Sequence, residues 1–252
     1  MGTMEFVRHA LMDATGSEKA KANPFYVRGA DQSFYSIGVP SVAVRAYIPE
    51  GNPLKGKWIG GSGGGWWWHS AYDTLDKGDK DHLLRDIRMI GLVIFRSVNS
   101  MILPFNFAQV AEQYQTVVTE IQTKTTSGTF NLNSILDKIR NLKNRSEELN
   151  SKIAGLKEAE KGKSFELNKL LMETSRILTS TFYTYGRKYE HDPAWAFPQL
   201  PALQEVVKLA RLDPRSDEAG FLRAKMIREM NRVNHQLDSA STKIDEAIKL
   251  IS

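Results

Sequence analysis

The sequence predicts the C-terminal tail of an α/β domain followed by an all-α helical bundle. Near Pro104 the 252-residue chain changes character. Before it, glycine- and tryptophan-rich sequence mixes strand, loop and helix signals; after it, long runs of apolar residues recur at helical spacing. The composition, 41% apolar and 25% charged, is that of a globular chain long enough to bury a sizeable core. The expected division is 1–104 for the α/β part and 105–252 for the bundle.

Each element follows from local pattern. Met4 to Ala14 is a short helix candidate, and the run from Gly38 to Tyr47, introduced by a turn and rich in valine, predicts a buried strand. Pro49 to Gly65 is a long glycine-rich loop, a length that in compact domains usually accompanies function or disorder. Asp79 or Asp81 is placed to cap the next helix, whose Leu83, Leu84, Ile87, Ile90, Ile94 and Val98 repeat at helical spacing. Pro104 ends it.

The second part holds at least four helices. Leu132, Ile135 or Leu136, Ile139, Leu142, Leu149, Ile153 and Leu156 alternate steps of three and four, with polar Ser146 filling one seam position. Leu167, Leu170, Leu171, Ile177, Leu178 and Phe182 mark the next helix. Phe221, Ile227, Met230, Val233, Leu237, Ile244 and Ile248 mark the last. Tyr183 to Leu203, with its aromatics and prolines, predicts an ordered non-helical excursion, and the helices are expected to run antiparallel.

Several function classes are excluded at this level. Cysteine is absent, which removes disulfides, thiolate catalysis and cysteine-bearing zinc sites, so a metal must be held by histidine and carboxylates. The net charge of +5 is spread among alternating acids and bases, as in Lys157-Glu158-Ala159-Glu160-Lys161, and predicts no nucleic-acid partner. Leu83 to Leu103 carries Arg85, Asp86, Arg88 and Arg96, too many charges for a membrane span of about 20 residues, and reads as a buried helix of a soluble domain. Met1 to Ala10 lacks the apolar run of a signal peptide. The glycines of 60–65 are not followed by Gly-Lys-Ser/Thr, and no Gly-x-Ser-x-Gly motif occurs. His9, His82, His191 and His235 lack ligand spacing.

The chemistry is concentrated in Trp66-Trp67-Trp68-His69-Ser70-Ala71-Tyr72-Asp73-Thr74-Leu75-Asp76. Two readings of His69 fit its residue types: a surface imidazole stacked among tryptophans, or a metal ligand oriented by a nearby carboxylate. Asp73 and Thr74 are suited to fixing the turn through nearby backbone amides.

The pattern His-Ser/Thr-x-x-Asp-Thr-x-Asp before a helix resembles the last metal-binding motif of the di-zinc exopeptidases, which include bacterial aminopeptidases, glutamate carboxypeptidase II and the transferrin receptor. Upstream, Ala30-Asp31-Gln32-Ser33-Phe34 through Gly38-Val39-Pro40-Ser41 resembles that family's Ser-Asp-x-x-x-Phe…Gly-Ile-Pro segment, with alanine for serine and one residue fewer before the phenylalanine. Downstream, Ile102-Leu103-Pro104-Phe105 and the helices after it resemble the transferrin-receptor-like dimerisation domain.

This resemblance implies that His69 is a zinc ligand, that Arg45 meets a substrate carboxylate and that Trp68 borders the substrate. A purely structural arginine remains the alternative for Arg45, and Trp66 and Trp67 are equally suited to a core. It implies a homodimer through the helical domain, a peptide substrate once the site is completed, and an extracellular, periplasmic or cell-surface setting. The family holds two zinc ions with histidine, bridging aspartate, glutamate, aspartate and histidine, beside a general-base glutamate. Only the final histidine is matched, and the strands bearing the rest would precede residue 1. The expected function is therefore the C-terminal portion of a zinc-dependent exopeptidase, inactive as this isolated chain. The alternatives are a non-catalytic dimerisation and protein-interaction module of the same family, or a helical partner surface unrelated to peptidases.

Overall fold

Three of the helix starts are set by short polar side chains. Asn106 Oδ1 accepts the Gln109 amide, Ser216 Oγ accepts the Ala219 amide at 3.2 Å, and Asp79 Oδ1 accepts the His82 amide at 2.8 Å. The structure, a computed structural model, describes residues 2–21, 32–42, 44, 51, 67–68, 70–125, 130–156, 162–186, 190, 192 and 198–252.

Among these residues the helices are α1 (Met4–Thr15), α2 (Gln32–Tyr35), α3 (Lys80–Asn99), α4 (Phe107–Thr123), α5 (Asn133–Ala154), α6 (Ser164–Tyr183), α7 (Pro201–Gln204), α8 (Val206–Leu209) and α9 (Asp217–Leu250), with a 3-10 turn at Leu75–Lys77. The chain divides into two compact units. One comprises Met1–Glu5, Asn23–Ser41 and Ser100–Ser252, the other Phe6–Ala22 and Val42–Asn99.

The larger unit is a helical bundle. Helix α9 packs against both α5 and α6, and α4 packs against α5. The α5 seam is the expected one: Leu132, Ile135, Ile139, Leu142 and Leu149 are buried, with Leu136, Ile153 and Leu156 packed beside them. Ser146 is fully buried in this seam because its hydroxyl donates to the Leu142 carbonyl of its own helix at 2.6 Å, so it needs no partner across the core.

The helix directions differ from the expected all-antiparallel arrangement. Asn106 meets Asn150 and Glu112 meets Lys143, so α4 and α5 run antiparallel. Lys243 meets Glu173 and Lys225 meets Tyr185 just past α6, so α6 and α9 are antiparallel also. Yet Ser134 meets Asn234, Lys138 meets Asp238 and Arg145 meets Asp245, so α5 and α9 run parallel. Leu103, just before α4, meets Asn168 and Tyr114 meets Leu178, so α4 and α6 run parallel as well. Among the described residues α5 packs chiefly on α4 and α9 and not on α6, so the chain crosses the bundle between α5 and α6.

On α9 the expected seam holds at Val233, Leu237, Ile244 and Ile248, which are buried, and at Met230, which packs beside them, but not at its N-terminal end. Phe221 is 80% exposed and Ile227 44% exposed. The buried stripe is Ala219, Leu222, Met226, Val233, Leu237, Ala240, Ser241, Ile244, Ala247 and Ile248, in which small residues stand beside the expected aliphatic ones.

No strand occurs among the described residues, so the α/β part of the expected fold is not among the observed elements. Where Gly38 was expected to lead into a strand, it closes α2. Its φ is +80°, its amide donates to the Tyr35 carbonyl at 2.9 Å, and the Val39 amide donates to the Phe34 carbonyl at 3.0 Å. That pair of bonds is a Schellman helix end, which glycine favours because it occupies the left-handed region without a Cβ clash. Val39 and Val42 are exposed accordingly. Residues 45–50 and most of the expected loop at 49–65 lie outside the described residues.

In the smaller unit, Val7 and Ala10 of α1 pack with Val93 of α3, and the Arg96 guanidinium meets the Asp13 carboxylate at 2.5 Å. Helix α3 was expected to bury its aliphatic stripe. Instead Met89 and Val93 are its buried residues, while Leu83, Leu84, Ile87, Ile90, Ile94 and Val98 are 45–74% exposed. Helix α1 occupies the opposite side of α3 from that stripe, given 3.6 residues per turn.

Candidate functional site

The segment following the tryptophans is a bonded turn centred on Ser70. Its amide donates to the Trp67 carbonyl at 3.0 Å and its hydroxyl to the same carbonyl at 2.6 Å, while its oxygen accepts the Tyr72 amide at 3.2 Å. The Asp73 amide then donates to the Ser70 carbonyl at 3.1 Å. Serine hydroxyls stabilise such turns by substituting for a backbone partner.

Beyond it, the Thr74 hydroxyl and the Lys77 ammonium both bond the Asp76 carboxylate. These two contacts, that from Lys77 foremost, hold the Asp76 carboxyl below its ordinary pKa. Asp79 is also held below its ordinary value, chiefly by the His82 amide that it caps. Of the two candidate caps, Asp79 is the one that closes α3. The carboxylates of Asp76 and Asp79 are thus engaged in the turn and the helix start.

Among the sequence-predicted site residues, Trp68 is half-buried in this turn beside half-buried Trp67. His69 and Arg45 lie outside the described residues, as do Trp66, Asp31 and His191. Asp73 and Thr74 are exposed in the turn. His9, His82 and His235 are exposed: the His9 ring lies 3.0 Å from Arg8 Nη2, and His82 Nδ1 lies 3.9 Å from Asp79.

Sequence reasoning assigned the turn to Asp73 and Thr74 and passed over Ser70. The small hydroxyl after the histidine, in a pattern that accepts Ser or Thr, was the available signal.

No group of three or more His, Cys, Asp or Glu side chains among the described residues is placed to hold a metal. A catalytic zinc needs about three protein ligands, so the described residues alone do not make a zinc site. A shallow groove between α1 and α3 is lined by Asp13, Arg88, Leu92 and Phe95, and Trp68 is not part of it. No helix among the described residues is long and apolar enough to cross a membrane. No protein-family model, no curated protein and no solved structure matches this chain.

Proposed function

We propose that this chain is the C-terminal portion of a zinc-dependent exopeptidase whose α/β domain it only partly supplies. In this reading His69 is one zinc ligand, Arg45 and Trp68 border a peptide substrate, and the helical bundle serves homodimerisation. The observation that supports it is the Ser70-centred turn, which leads from the histidine motif directly into the capped helix α3. The Asp76 and Asp79 carboxylates are engaged in the turn and the helix start, and in this reading His69 is the ligand that the segment contributes.

Alone, the chain is a single-ligand corner with no peptidase activity and weak zinc binding. Equilibrium dialysis should leave sub-stoichiometric zinc, and aminoacyl and peptidyl substrates should stay intact. Joined to an upstream segment carrying the four missing ligands and the glutamate, the protein should hydrolyse such substrates, and His69→Ala should abolish that activity. Unchanged hydrolysis in the His69→Ala protein would discard the assignment.

A second reading, a non-catalytic interaction module, is favoured by the bundle, whose core is continuous through α4, α5, α6 and α9. It predicts a stable dimer without zinc and without any gain of activity on extension.

A further inference from the structure

We propose that α3 forms a self-complementary interface with a second copy of this chain, pairing antiparallel across a two-fold axis between Ile90 and Gly91. An isologous interface requires one surface to complement itself under a two-fold rotation. The exposed stripe meets that condition. Antiparallel pairing about the Ile90–Gly91 midpoint sets Leu83 against Val98 of the second copy and Ile87 against Ile94, aliphatic against aliphatic at both levels.

At the centre sits Gly91, where an added Cβ would have no atom within 4 Å. A residue without a side chain at the crossing point lets two helices approach closely. Leu84 and Phe95 flank the stripe and are 46% and 63% exposed.

The stripe is also continuous. Six aliphatic side chains and Phe95, each 45–74% exposed on one helix face, make a patch of the several-hundred-Å² size (roughly 300–600 Å²) that on a monomer marks an interaction site. Among the described residues the opposite side of α3 is occupied, Val93 packing with Val7 and Ala10, while the stripe is exposed. This inference concerns the chain by itself and does not depend on the zinc reading.

The absence of cysteine makes the test specific. In sedimentation velocity at micromolar concentration the 252-residue chain should be a dimer through α3, or a tetramer where the bundle pairs as well. Gly91→Cys should form an intermolecular disulfide under mild oxidation, while His235→Cys on the exposed face of α9 should not. Ile87→Glu should weaken the dimer by about ten-fold or more. Adding Ile94→Lys in the same chain should restore it, because each glutamate then faces a lysine of the other copy; adding Ile94→Glu should not. A monomeric wild-type chain would overturn the proposal. So would a dimer indifferent to Ile87→Glu with no Gly91→Cys cross-link, which would assign association to the bundle.

Discussion

The Tyr114 hydroxyl donates a 2.7 Å hydrogen bond to the carbonyl of Leu178, joining α4 to α6 at a point where both residues are fully buried. The ring packs on Phe182, centroids 4.7 Å apart, and Phe182 meets Tyr183 edge-on at 5.0 Å. A phenol buried this completely must spend its hydroxyl on a partner, and a helix carbonyl has a second lone pair to give. Tyr114→Phe keeps the packing and removes the bond, so it should cost about 0.5–1.5 kcal/mol in denaturant unfolding. A loss well above that range would mean that the ring position itself depends on the hydroxyl.

The same burial sets an alkaline limit. Desolvation raises the Tyr114 hydroxyl well above its ordinary value, and Tyr183 is raised for the same reason, with Tyr35 adding to it. For a group whose folded pKa is raised, the stabilisation is complete below the unfolded value and falls as pH climbs beyond it. Bundle stability should therefore decline above about pH 10, where unfolded tyrosine ionises. In an absorbance titration, these two tyrosines should ionise only as the bundle unfolds. Tyr114→Phe should flatten the decline. A full eight-tyrosine titration in a chain that keeps its helical signal would refute the assignment.

Adjacent residues of α9 provide a sharp contrast. Phe221 is 80% exposed and Leu222 is buried at 9%. Phe221→Ala should change stability by no more than about 0.5 kcal/mol, whereas Leu222→Ala should cost about 2–3 kcal/mol. Equal effects would show that the helix is rotated from the phase described.

Gly38 is held by geometry rather than by its own contacts. A Cβ there would lie 2.4 Å from both the Cα and the carbonyl oxygen of Arg176, and φ is +80°. The obstacle is α6 backbone, which cannot move aside as a side chain would. Gly38→Ala should cost about 1–3 kcal/mol or release the 32–39 segment from α6. Release would separate the stacked Tyr35 and Tyr183 rings, now 5.2 Å apart, and open the segment to limited proteolysis. A variant as stable and as protease-resistant as the parent would contradict this placement.

What the sequence made legible was periodicity; what it hid was partnership. The α5 seam could be followed through Ser146 because a serine that bonds its own helix leaves the pattern intact. The α9 seam was misphased at Phe221 and Ile227 because the stripe is carried partly by Ala219, Ala240 and Ala247, which hydrophobic pattern alone underweights. On α3 the aliphatic repeat was visible, but periodicity says only that a face is apolar, not that something in the same chain covers it. Gly38-Val39-Pro40 carries a turn signal that a helix end and a strand start share, and the Schellman bonds decide between them. At the candidate site the turn-forming residue types were legible, while the choice of Ser70 as its centre and of Asp79 as the cap required geometry.

The parallel run of α5 and α9 is the feature that periodicity could least reveal, since a heptad seam looks the same in either direction. It rests on three contacts in register, from Ser134 with Asn234 at 3.1 Å to Arg145 with Asp245 at 2.8 Å. In an antiparallel pair, Ser134 would instead approach the C-terminal end of α9 near Lys249. With no native cysteine to interfere, Ser134→Cys/Asn234→Cys should close an intramolecular disulfide, and Ser134→Cys/Lys249→Cys should remain reduced. The bridge would close a loop of about 100 residues and should stabilise the bundle by up to about 4–5 kcal/mol, less any strain it imposes. Cross-linking of the 134/249 pair in place of the 134/234 pair would reverse the helix directions and, with them, the path of the chain through the bundle.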